Sequence, residues 1–156
     1  MKTRVSCVAV AFAFALAGLT GCANQQVKDR QLIDQFKHDT AGEYVSDSGA
    51  QLFIVPVRSR MVSDESVYIE RADAKGIYGR LLDLKVSADG KKVVQMALTF
   101  TQEGQWRNLR ENPELFTALL PKDVKSAGTC DIQPAGDLNS VSYSCGGSPP
   151  ETFRRK

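Results

Sequence analysis

Histidine is almost missing from this sequence: His38 stands alone among 156 residues. That excludes a multi-histidine metal centre, and it leaves the many serines without a nucleophile–base–orienter set. No G-x-S-x-G elbow, phosphate loop or dinucleotide fingerprint occurs. Charge of one sign is not in excess either, with 20 Lys+Arg against 18 Asp+Glu. Lys2 and Arg4 belong to an N-terminal leader that holds no acid, so 18 of each sign remain beyond it. A balanced charge argues against nucleic acid as a partner. There is no internal repeat, and no composition shift marks a second domain. The residues alone therefore give no catalytic residue, cofactor or metal ligand, and no enzymatic activity is expected from them. His38 falls near the end of a helical stretch, where a cation suits the helix dipole.

Long apolar runs are also scarce, and the single one is informative. Val5 to Leu19 is apolar apart from Ser6, Cys7 and Gly18, and follows Lys2 and Arg4. Its length suits the core of an export signal and is short for a bilayer span. It ends in Leu19-Thr20-Gly21-Cys22, which resembles the lipobox of bacterial lipoproteins. A thiolate is the nucleophile that takes a diacylglyceryl group as a thioether, and small residues ahead of it admit the peptidase. Two or three acyl chains hold a protein durably where one does not. The expectation is a cleaved leader at 1–21 and a lipidated tether at 22–29 with Cys22 as the anchor. Ala23 lacks the acidic character associated with inner-membrane retention. The expected place is the outer membrane, with the domain facing the periplasm.

Cysteine is spare as well. Of four, Cys7 leaves with the leader and Cys22 is acylated. Cys130 and Cys145 remain in an oxidising compartment, and a disulfide between them is the plain reading. A metal site is the alternative, but His38 is remote and two thiolates do not complete a tetrahedral shell.

The body of the chain alternates. Residues 23–39 read as a tether running into a short helix at 30–38, with Leu32, Ile33 and Phe36 on one face, ended by Thr40-Ala41-Gly42. Residues 51–57 and 66–71 read as strands, and Pro56 points to an edge or bulge. Residues 81–100 read as a hairpin around Asp89-Gly90. A three-residue loop would set Leu84 opposite Val94 and keep the apolar faces together, with Gly90 in the left-handed region. Residues 112–121 read as a short helix with Asn112 as N-cap, its Leu115, Leu119 and Phe116 covering a sheet end. Trp106 is expected to cap the barrel end as core. Val141, Tyr143 and Cys145 share a face, as do Cys130 and Ile132. The tail, 147–156, reads as loose. The expected fold is mainly β: an antiparallel, lipocalin-like, open or partial β-barrel at 30–146 with two short helices.

AGEYVSDSGAQ (41–51), VYIERA (67–72), YGRLLDL (78–84), GTC (128–130) and the later Cys145 resemble the motifs of the T-type phycobiliprotein chromophore lyases, the CpcT/CpeT family. The resemblance implies a lipocalin-like barrel with a polar mouth, and an attachment activity on a linear tetrapyrrole. Tyr68, Glu70 and Arg80 are the positions that match, and the resemblance implies a ligand site there. A Glu70–Arg80 pair facing the barrel would hold a ligand's carboxylate or amide; the plainer alternative is the wet face of a half-buried strand. This chain departs in Gly79 and in stopping after SPPETFRRK. Two function classes follow. One is a lipid-anchored envelope protein that binds a small molecule. The other is a non-catalytic interaction or assembly module with an envelope protein as partner. An open cavity points to the first, and a filled barrel to the second.

Overall fold

A computed structural model describes residues 8–59, 65–102, 109 and 111–156. Lys2, Arg4 and Trp106 lie outside the described residues. An α-helix, α1 (Val8–Thr40), leads into eight strands: β1 (Gly42–Ser46), β2 (Gln51–Val57), β3 (Ser66–Asp73), β4 (Gly76–Val86), β5 (Val93–Phe100), β6 (Val124–Pro134), β7 (Ser140–Cys145) and β8 (Glu151–Arg155). Every strand pairs antiparallel with its sequence neighbour, and β8 pairs with β1, so the barrel is closed. Closure removes the exposed edges that an open sheet would have to protect.

Four expectations change here. The barrel is closed rather than open or partial. Residues read as a loose tail supply its last strand, because Thr152 and Phe153 meet Ser142 and Val141 on β7 and Phe153 also meets Ser46 on β1. The short 30–38 helix is the end of a longer one, since neither Gly nor Pro interrupts 22–40. The second helix is instead two 3₁₀ turns, Pro113–Ala118 and Pro121–Asp123. Asn112 makes no side-chain cap there, and Thr117 Oγ1 donates 2.7 Å to the Glu114 carbonyl, competing for the backbone.

The β4–β5 hairpin also differs. Leu84 stands opposite Gln95 and Leu82 opposite Ala97, while Ser87 N–H donates to the Lys92 carbonyl. The loop is therefore the four residues between them, with Gly90 at φ 70°. The register turns polar Gln95 onto the face of Leu84. It is tolerated because the Gln95 amide donates 3.1 Å to the Ile132 carbonyl and accepts 2.9 Å from the Ile132 N–H. A buried amide with both functions satisfied costs little.

Pro56 fits its place. β1 begins at Gly42, opposite Ile54, so Pro56 has a strand neighbour on the β3 side only. A residue without an N–H belongs where no ladder bond is asked of it.

Two apolar clusters follow from the alternation. The inner face joins Tyr44, Leu52, Ile54, Val67, Ile69, Leu82, Leu84, Ile132, Val141, Tyr143 and Phe153. Ile33 and Phe36 of α1 belong to the same cluster, so α1 closes one end of the barrel. The second cluster is on the outer face, where Phe116, Leu109 and Leu119 of the β5–β6 connection cover Tyr68, Leu81, Phe100 and Val57.

Candidate functional site

The strand that holds Tyr68 and Glu70 decides what they can do. Tyr68 is fully buried, with its ring 5.0 Å from that of Phe116, and its hydroxyl donates 3.2 Å to Glu70 Oε2. Glu70 stands opposite Phe53 on one side and Gly79 on the other. Both residues therefore lie on the outer face, under the β5–β6 connection. Arg80 stands opposite Ile69, which belongs to the inner cluster. Glu70 and Arg80 are on opposite faces of the sheet. The expected pair does not form, because successive strand residues point to opposite sides and the ladder sets Arg80 against Ile69, one residue before Glu70.

Arg80 meets other residues instead. Its guanidinium is close enough to the Tyr143 phenol on β7 to pull its pKa down, at the end opposite α1. Arg71 shares this face, since it stands opposite Leu52 and Tyr78. Arg71 Nη2 lies 2.9 Å from Glu151 Oε2 and 3.3 Å from Asp73 Oδ2. Ser48 donates 2.9 Å to the other oxygen of Glu151. Arg71 Nε is buried with no hydrogen-bond partner. Burial pushes the Tyr143 phenol above its ordinary value, while the Arg80 and Arg71 guanidiniums pull it down. Sequence reasoning found Arg80 here and missed Arg71, Tyr143 and Glu151.

No family model matches the chain, and no curated protein or solved structure matches it significantly. The resemblance to the T-type lyases therefore stands on the motifs themselves.

Cys130 and Cys145 are direct cross-strand partners on β6 and β7, with Cα atoms 4.1 Å apart, and are joined as a disulfide. Among the described residues no group of three or more His, Cys, Asp and Glu comes together as a metal site. His38 is exposed in the last turn of α1. Among those residues, too, no helix is long and apolar enough to cross a membrane.

The described cavities lie outside the barrel. One, about 710 Å³, is walled by Arg30, Asp34 and Lys37 of α1 with Val57, Arg58 and Glu65. Its charges are largely paired: Lys37 bonds Glu65 closely and lies 3.3 Å from Asp34, and Arg30 lies 3.6 Å from Glu65. A second, about 550 Å³, continues along α1 past Val27 and Ile33. A third, about 20 Å³, sits by Glu43, Phe53 and Glu70 and has room for one water.

Proposed function

We propose that this chain is a lipid-anchored protein of the outer membrane, held by Cys22, whose barrel serves as a non-catalytic interaction or assembly module facing the periplasm. The observation that carries this reading is the filled interior. Tyr44, Leu52, Ile54, Ile69, Leu82, Ile132 and Phe153 are all at most 2% exposed and meet one another across the barrel. A barrel packed in this way has a core where a carrier has a cavity. Four exposed large apolar side chains sit in elements at the end away from α1: Ile77 and Tyr78 at the start of β4, and Leu115 and Leu120 in the β5–β6 connection. That end is the better candidate for contact with a partner. The anchor is supported by the Leu19–Cys22 motif and its apolar leader.

The sequential, up-and-down strand order supports a lipocalin-like architecture. A second reading keeps the CpcT/CpeT-like role of holding a small molecule, and the polar Arg71–Arg80–Tyr143 end favours it. The lyase chemistry itself gains no support from a filled barrel.

Acyl labelling of Cys22→Ala tests the anchor: the variant should persist as an unlabelled precursor, and labelled, processed variant would refute it. Native mass spectrometry of the exported protein tests the module. The expected mass is polypeptide plus acyl groups. A stoichiometric co-purifying small molecule would overturn the interaction reading in favour of the second.

A further inference from the structure

The turn between β4 and β5 lies against α1 close to Cys22. A Cβ added to Gly90 would stand 3.5 Å from Gln25 Nε2, an ordinary van der Waals contact. Gln25 is held there by donating 2.7 Å to Asp29 Oδ1. It is three residues from Cys22 on one continuous helix, a rise of about 5 Å. The turn therefore stays near the anchoring cysteine whatever the tilt of the barrel. Acyl chains on Cys22 hold that residue at the level of the phospholipid headgroups.

What the turn presents there is cationic. Its shape is set by the Gly90 N–H, which donates 2.8 Å to the Ser87 carbonyl, and by the Lys92 N–H, which donates 3.2 Å to Ser87 Oγ. Asp89 is its single acid, and Asp89 Oδ1 already accepts from Ser87 Oγ at 2.5 Å and from the Lys91 N–H at 3.2 Å. Lys91 and Lys92 are exposed, as is Lys28, three residues along α1 from Gln25. Among the described residues none of these three lysines forms an ion pair, whereas Arg30 and Lys37 farther along α1 are both drawn to Glu65.

We propose that the β4–β5 turn is a second membrane contact, in which Lys91 and Lys92, with Lys28 of α1, rest on the phosphates of anionic phospholipids beside Cys22. The inference rests on the reading of Cys22 as the lipid anchor, and adds an orientation to it. Charges within a Debye length of a surface, about 10 Å at 0.1 M salt, are attracted with little screening. Each lysine held near an anionic surface favours that orientation about fivefold. The opposite end, with Ile77, Tyr78, Leu115 and Leu120, is then turned away from the bilayer, toward the periplasm.

The test uses the purified, acylated protein in nanodiscs of phosphatidylethanolamine and phosphatidylglycerol, or of phosphatidylcholine alone, each carrying a gadolinium-chelating lipid. Acylation is checked first by mass. NMR broadening of the backbone amides of Asp89, Gly90, Lys91 and Lys92 is compared with that of Gly49 and Lys75, in turns at the far end. With phosphatidylglycerol present, the β4–β5 amides should broaden several-fold more than the far ones. Lys91→Gln/Lys92→Gln should reduce that difference several-fold at unchanged acyl mass, as should 1 M salt, where the Debye length is about 3 Å. Equal broadening at the two ends of an acylated wild-type chain overturns the orientation and leaves the anchor standing. Broadening unchanged in the folded double variant, or in phosphatidylcholine, overturns the headgroup contact of the lysines. A mature mass without acyl groups overturns the anchor, and this inference with it.

Discussion

The two ends of this barrel are finished in different ways. At one, α1 lowers Ile33 and Phe36 onto the inner cluster, and Arg155 of β8 ties the joint. Arg155 donates to the carbonyls of Leu138, Ala41 and Asp39 at 3.1, 2.7 and 3.1 Å, and to the Tyr44 hydroxyl at 2.8 Å. Its guanidinium also lies 4.9 Å from the Tyr44 ring centroid. Two of those carbonyls belong to the last turn of α1 and the residue after it, which a helix leaves without partners of its own. At the other end no helix enters the barrel among the described residues, and the buried Arg71 Nε–H is left without a partner there. One end is satisfied for stability, while among the described residues the other retains unspent hydrogen-bonding capacity.

Changes to the shared core should exceed changes to either end. Phe153→Ala removes a fully buried ring that meets Tyr143 edge-on at 6.1 Å, and should cost about 3–5 kcal/mol in a denaturant melt. A loss under about 1 kcal/mol would mean the interior is not packed as described. Reduction of Cys130–Cys145, which closes a loop with a sequence separation of 15, should cost about 3 kcal/mol. The fold should persist, since β1 to β4 lie outside that loop; circular dichroism with and without reductant checks this.

At the plugged end, Arg155→Ala should cost about 1–2 kcal/mol, because several charge-assisted bonds go while exposed carbonyls regain water. Hydrogen exchange should speed up in the last turn of α1 and at Ala41. At the open end, Arg80→Ala should cost under about 1 kcal/mol, as the group is half-exposed and forms no ion pair among the described residues. Because Glu70 lies on the other face, Arg80→Ala and Glu70→Ala should add to within about 0.5 kcal/mol in a double-mutant cycle. A larger coupling would restore the pair that the register forbids.

The smallest effect is on pH dependence. Tyr44 and Tyr143 both have phenols raised above 10.0, by burial first, with Arg155 opposing at Tyr44 and Arg80 and Arg71 at Tyr143. A raised folded-state value means the folded chain holds the proton longer. That stability is fully present below about pH 10 and is lost as pH rises through the folded values. Melts from pH 9 to 11 should show the decline, and Tyr143→Phe should make it shallower.

Much of the fold was legible because alternation is a direct print of a two-sided strand. Val67 and Ile69, and Leu82 and Leu84, announce their faces. The hairpin register was not legible, since nothing local says that Gln95 will find the backbone of Ile132, 37 residues on. β8 was hidden for a similar reason: Glu151–Arg155 has one buried side chain, Phe153, and becomes a strand only between β1 and β7. The site was half legible. Arg80 drew notice through its motif, but its expected partner Glu70, though on the adjacent strand, faces the other way because the register sets Arg80 against Ile69. Arg71 did carry a signal: it continues the inward series Val67, Ile69, and a charge in an apolar series is a mark of a lined mouth. Glu151 carried none while its segment was read as loose.

The reach of Arg155 has a consequence for timing. Its bonds to Asp39 and Tyr44 span 116 and 111 residues, and β8 is the only strand that joins β1 to β7. Until β8 is in place, β1 and β7 each present a bare edge, and the helix end lacks its guanidinium. Contacts this distant in sequence also form slowly. Closing the barrel therefore waits on β8, which joins β1 to β7 and docks the end of α1 in one step.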